Sequence, residues 1–202
     1  PPNEKHVFVG GVGFLFRKAQ FFRTRSSPPK NKLFFILSCE DSDSRENLQI
    51  VSNETVEVFL LDKLDEARGF CLDIKGYKSN ASIDKGLQAH TCYSYQGEVS
   101  VDQGFDIYRL NEKEFFMPDF NVCMEAESFG ESSSLILKSC AKNELQKFIL
   151  NDDGKIYLEG NKNLCLTISQ EKSSEGGGGT PVHLIRNISM ENCDESLSLY
   201  QA

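Results

Sequence analysis

The sequence predicts an all-β protein in which three cysteine-bounded repeats close a pseudo-threefold barrel, preceded by an N-terminal β extension. Three observations lead there. The triplets CLD (71–73), CME (123–125) and CLT (165–167) recur at a period of about forty residues. Each triplet is followed by a second cysteine, at 92, 140 and 193. The segments between are short apolar runs bounded by turn residues, and nothing from 66 to 202 carries a 3.6-residue apolar stripe. A repeat of this size cannot bury a face alone, so the three must pool their strands around a common axis.

Taken in chain order, residues 1–65 form the extension and 66–202 the repeats, at about 66–119, 120–161 and 162–202. Within the extension, TVEVFLL (55–61) reads as a strand. The echoes GFLF (13–16), FFILSC (34–39) and LQIV (48–51) leave open a fading fourth copy, with Leu15 where a cysteine would stand. That alternative leaves Cys39 without a partner. From His6 to Cys39 there is no acid, and Arg17, Lys18, Arg23, Arg25, Lys30 and Lys32 make the segment basic. It has two readings: docking on an acidic glycan, or lying against the acidic remainder of its own chain.

The first repeat runs CLD (71–73), LQAHTC (87–92), DQGF (102–105), and the second runs CME (123–125), LILKSC (135–140), LQKF (145–148). After the second, Asn151-Asp152-Asp153-Gly154 reads as a hairpin turn before Ile156-Tyr157-Leu158. The third runs CLT (165–167), ISMENC (188–193) and ends in a strand at SLSLYQ (196–201). Its glycine-rich EGGGGTPVHL (175–184) lacks the Gly-Lys-Ser/Thr ending of a phosphate loop and reads as a long irregular turn.

Six of the seven cysteines group as Cys71/Cys92, Cys123/Cys140 and Cys165/Cys193, a spacing that fits short-loop disulfides. Such bridges persist in oxidising compartments. Sequons at Asn53, Asn80 and Asn187 agree, and together they predict a secreted or extracellular protein with these asparagines as glycosylation candidates. The formal charge of −8 disfavours nucleic acid and anionic lipid surfaces as partners. No apolar run reaches the ~18–20 residues that would span a bilayer. The scattered His6, His90 and His183 offer no ligand spacing, so neither a metal nor a cofactor is expected. No nucleophile elbow or triad context is present, and an enzyme is not expected.

Cys-Leu-Asp, an apolar-Gln-x-aromatic-x-Cys strand and then Gln-x-Trp/Phe resemble the ricin-type β-trefoil lectin repeat. Here Gln103-Gly104-Phe105 and Gln146-Lys147-Phe148 stand at the Gln-x-Trp position in a chain without tryptophan, and the third copy of that motif reads as lost. The resemblance covers about residues 66–202 and implies a β-trefoil that binds a glycan or glycoprotein. Mapped by position, it implies a sugar site on the first repeat made by Asp73, Gln88, His90, Asp102 and Gln103. A carboxylate can accept from neighbouring pyranose hydroxyls, and a ring can cover the apolar face of a sugar such as galactose. His90 departs from the family's larger aromatic ring, with Tyr93 and Tyr95 as alternative stacking surfaces. Asp73 also admits the plainer role of a loop aspartate bonded to its own backbone. The second repeat offers Glu125 and Lys138 and the third Thr167 and Glu191, so both are expected to be silent.

Two functions follow: a carbohydrate-binding module, or an extracellular protein-interaction or protease-inhibitor module on the same scaffold with no sugar. The second would use loop 174–183 or the basic arm 17–32 against another extracellular protein.

Overall fold

The structure, a computed structural model, describes residues 55–201 together with the backbone of the strand Phe14–Lys18. Cys39, Asn53, the echoes FFILSC and LQIV and most of the basic arm lie outside the described residues, as does the Tyr95 side chain.

The chain forms a β-trefoil from short antiparallel strands in two sheets. One sheet runs in the order Phe14–Lys18, Thr55–Leu60, Phe70–Ile74, Leu87–Thr91, Leu184–Arg186, Ser174–Glu175, with Phe105–Asp106 also pairing to Thr55–Leu60. The other runs Phe116–Met117, Val122–Ala126, Ser133–Lys138, Ile188–Asn192, Asn161–Ile168, Ile156–Leu158, Phe148–Leu150.

The threefold repeat is visible in the strand register. The first cysteine of each lobe faces an aromatic residue on the preceding strand: Phe59 opposite Cys71, Phe116 opposite Cys123, Tyr157 opposite Cys165. On its other side the same cysteine faces the residue two before the closing cysteine, namely His90, Lys138 and Glu191. Asp73, Glu125 and Thr167 likewise face Gln88, Ile136 and Ser189. A one-residue slip in any lobe would turn its buried set outward, which is why the register holds in all three. The disulfides Cys71–Cys92, Cys123–Cys140 and Cys165–Cys193 close the lobes.

Alternation decides burial. In Ser133–Lys138 the residues Ser133, Leu135 and Leu137 are buried while Ser134 and Lys138 are exposed. The apolar residues of all three lobes merge into one core, in which Phe105, Phe115 and Phe148 meet edge-to-face at centroid distances of 5.9 and 5.6 Å. Phe105 and Phe148 thus fill the place that tryptophan would take.

The structure adds detail to the extension and corrects the end of the third repeat. TVEVFLL was assigned to the extension, yet Val56, Val58 and Leu60 are buried in the trefoil core and Phe59 opens the register of the first lobe. The last strand of the extension therefore packs with the first lobe. The end of the third repeat is not a strand: residues Glu195–Leu197 form a 3-10 turn and Ser198–Gln201 a helical turn, started by Asp194, whose side chain accepts from the Ser196 N–H. A further helical turn, Ile107–Asn111, is capped by Asp106, which accepts from the N–H groups of Tyr108 and Arg109. Both are single turns created by capping, too short for an apolar period to announce them.

The Asn151–Gly154 hairpin turn forms as expected, with the Gly154 N–H donating to Asn151 O and Gly154 at φ +82°. The glycine-rich segment, read as a long irregular turn, is the loop of a hairpin. Ser174–Glu175 pairs with Leu184–Arg186, and inside the loop the Gly176 N–H donates to His183 O and the His183 N–H to Gly178 O, while Thr180–Pro181 is cis.

Candidate functional site

All five predicted residues come together in the first lobe. Pairing of Phe70–Ile74 with Leu87–Thr91 puts Asp73 beside Gln88, whose Nε2 donates to Asp73 Oδ1 at 2.9 Å. Gln103 reaches in from the third side of the lobe. Its Nε2 donates to Asp73 Oδ2 and to Thr91 O, both at 3.1 Å, and its Oε1 accepts from the Tyr93 N–H at 2.9 Å. Asp102 lies behind them, accepting from the Lys78 N–H and from Ser100 Oγ. The Asp102 carbonyl also accepts from the Ile74 N–H, which ties the two carboxylate-bearing segments together.

The cluster is not the open hollow that a surface sugar site would suggest. Asp73 is 1% exposed, His90 6%, and Asp102 and Gln103 0%; Gln88 alone is half-buried. Burial, followed by the neighbouring Asp102 charge, pushes the Asp73 carboxyl well above the usual range, against the pull of its two glutamine bonds.

His90 is not a free stacking surface either. Its ring lies on Tyr93 at 5.1 Å with planes 24° apart, and the His183 ring meets it edge-on at 5.1 Å. His90 Nδ1 donates to Thr91 O at 2.8 Å. That proton leaves it no lone pair for the Gln103 amide 3.3 Å away. Burial lowers the pKa of both His90 and His183. His183 is held there by the glycine-rich loop. Arg68 donates to the carbonyls of Pro181 and Val182 and pairs with Glu66 at 2.7 Å. Burial alone would raise the Glu66 carboxyl, but bonds from Arg68 and Thr91 bring it down to about 2. A side chain at Gly179 would run into the His183 ring, so glycine is required for that close approach. Neither His183 nor this loop was foreseen as part of the site, because the contact joins lobes ninety residues apart.

Comparison of the lobes separates framework from chemistry. In the second lobe Gln146 Oε1 accepts from the Ala141 N–H, and its Nε2 donates to Ser139 O and Glu125 Oε2. In the third, Gln201 Oε1 accepts from the Asp194 N–H, and its Nε2 donates to Asn192 O and Thr167 Oγ1. In every lobe the glutamine bridges the residues flanking the second cysteine and the residue two past the first. The third copy of the motif is therefore kept at Gln201, contrary to the reading that it is lost. No Gln-x-Phe triplet flags it in the sequence, and it sits on a helical turn rather than on the strand expected there.

What differs is the acceptor. Thr167 is a hydroxyl, Asp73 a sealed carboxyl, and Glu125 a half-buried carboxylate whose Oε2 takes both Gln146 and Asn143 Nδ2, the latter at 3.0 Å. Lys138 and Asn143 beside it are exposed.

Asn80 and Asn187, the two sequon asparagines among the described residues, are exposed. Within those residues no helix is long and apolar enough to cross a membrane.

The profile described as the ricin-type beta-trefoil lectin domain matches residues 63–196. Among solved structures the chain is similar to a designed threefold-symmetric protein, ThreeFoil, at 18% identity and a TM-score of 0.46, covering 66% of this chain and 88% of that one. No curated protein matches the chain. With the profile spanning most of the chain and three lobes braced alike, this protein belongs to the ricin-type beta-trefoil lectin domain family.

Proposed function

We propose that the protein is a non-enzymatic carbohydrate-binding module, secreted or lumenal, that takes a galactose-like pyranose at the first lobe. The observation that carries this reading is the gathering of two carboxyl groups, two primary amides and an imidazole into one cluster there. Neither of the other lobes assembles such a set. Access requires the Gln88 amide to swing away so that sugar hydroxyls take its place on Asp73. One neutral hydrogen bond is worth about 0.5–1.5 kcal/mol, so the exchange is cheap. A single site of this kind binds a monosaccharide near millimolar, about −4 kcal/mol, and gains useful strength through clustering.

A specific observation favours a second placement of the same activity. Glu125 keeps Oε1 clear of both amide bonds, and Asn143 and Lys138 stand exposed beside it, so the second lobe offers an acceptor without rearrangement. A glycan array read with wild type, Asp73→Asn and Glu125→Gln separates the two. Loss of signal in Asp73→Asn alone supports the first lobe; loss in Glu125→Gln alone moves the site to the second. No glycan signal from folded wild type overturns the lectin reading and leaves protein interaction as the function to test.

A further inference from the structure

Beside the first-lobe cluster the chain forks. Leu184–Arg186 pairs with Leu87–Thr91 in one sheet, Ile185 opposite His90 and Arg186 opposite Ala89. Two residues later Ile188–Asn192 joins Asn161–Ile168 in the other sheet. Asn187 sits at the parting, and the two sheets open a cleft of about 160 Å³ on the seam between the first and third lobes.

The cleft has the chemistry of a polyol site. Gln88 forms one wall, the same side chain whose amide holds Asp73. Ser169, Ser174 and Asn187 add hydroxyls and an amide, and Ile185 adds a half-buried apolar patch. The floor is rigid. Arg186 is 8% exposed and each guanidinium nitrogen donates: Nε to Ser173 Oγ at 2.8 Å, Nη1 to Ser169 O at 2.7 Å, and Nη2 to Asp65 Oδ1 at 2.8 Å. Lys172 stands at the rim, exposed, with Glu171 next to it. The charges at the rim therefore offset each other, which suits a neutral ligand better than an acidic one. Mixed donors and acceptors, a small apolar patch and a fixed floor match a ring of hydroxyls.

We propose that this cleft is an extension site for the second pyranose of a neutral oligosaccharide whose first unit sits on Asp73, with Gln88 as the shared wall. The inference rests on the first-lobe reading of sugar binding. It predicts that the protein selects disaccharides over monosaccharides. When the Gln88 amide turns from Asp73 to admit the first sugar, it turns toward the cleft, so filling one site readies the other.

The test uses the whole chain made in the bacterial periplasm, where disulfides form and Asn187 stays unmodified. It is read on an array carrying galactose, N-acetylgalactosamine, glucose and mannose, each alone and within α- and β-linked disaccharides. Wild type is expected to bind at least one disaccharide about tenfold more tightly than its terminal monosaccharide, a difference of about 1.4 kcal/mol. The exposed pair Lys172→Ala/Asn187→Ala is expected to bring that ratio below about twofold while monosaccharide binding is unchanged. Equal binding of mono- and disaccharides by wild type, or an advantage that survives the double variant, overturns the cleft and leaves the first-lobe reading standing. Binding abolished by Glu125→Gln and indifferent to Asp73→Asn, or no sugar binding at all, removes the first-lobe reading and the cleft with it.

Discussion

The first and second lobes share one framework and differ in what they expose. Both hang a glutamine between the residues flanking the second cysteine, and both turn its amide onto the acidic residue two past the first. In the first lobe that acid is sealed under Gln88, with Tyr93 and His183 closing over the neighbouring His90. In the second the strand opposite supplies Ile136 and Lys138, and Glu125 reaches half into solvent. The difference teaches that an acid at this position answers first to the fold: the glutamine needs an acceptor, and in the third lobe Thr167 serves as well. On the proposed reading, sugar chemistry is added on top of that brace by the residues opposite.

The largest effect should come from the brace itself. Gln103→Ala leaves the Tyr93 N–H, Thr91 carbonyl and Asp73 carboxyl buried and unsatisfied, so a loss of about 4 kcal/mol in urea unfolding is expected. Gln146→Ala and Gln201→Ala should fall in the same range. A Gln201→Ala change that costs under about 1 kcal/mol would break the threefold comparison at its third member. Next in size, Cys123→Ala/Cys140→Ala opens a bridge with a sequence separation of 17 and should cost about 3 kcal/mol in the same assay.

Acid should separate the lobes. His90 and His183 have lowered pKa values in the fold, so the unfolded chain binds their protons more readily. Their contribution to stability is whole above the ordinary histidine value of 6.5 and is lost as pH falls through the depressed folded values. The urea midpoint should therefore drop from pH 7.5 to pH 5, and His90→Gln/His183→Gln should flatten that drop. A slope unchanged by the double substitution would mean that the aromatic cover is not closed in solution.

The smallest effect has the opposite sign. The Asp73 carboxyl is raised, so its contribution is whole below the ordinary aspartate value of 3.8 and lost as pH rises through the raised value. Asp73→Asn should make the protein modestly more stable at pH 7, with the gain fading toward pH 4. A destabilised Asp73→Asn at pH 7 would show that the carboxylate is paired rather than stranded. Taken with the array, this variant would gain stability while losing sugar, because Asn keeps an amide oxygen for the Gln103 brace without the buried charge.

Much of this architecture was legible because it is written in local periods. Cysteine spacing predicted the three bridges, and the short apolar runs, LILKSC among them, predicted the strands. Gln103 and Gln146 announced themselves through the phenylalanines two residues on, which must fill the core. Gln201 carried no such flag. Asp73, Gln88, His90, Asp102 and Gln103 were gathered through the resemblance to the family repeat, and the pairing that sets Asp73 opposite Gln88 in the fold lies within that one repeat.

The sequence by itself determined the repeat and the disulfides, since these depend on spacing along one chain, and its resemblance to the family repeat named the residues of the first-lobe cluster. The tertiary structure alone decided that Asp73 is sealed, that His183 crosses from the third lobe to cover His90, and that a cleft opens beside Gln88. The physical reason is that exposure is a property of what packs over a side chain. Here the covering atoms come from a loop some ninety residues away, at a distance over which no local pattern reports.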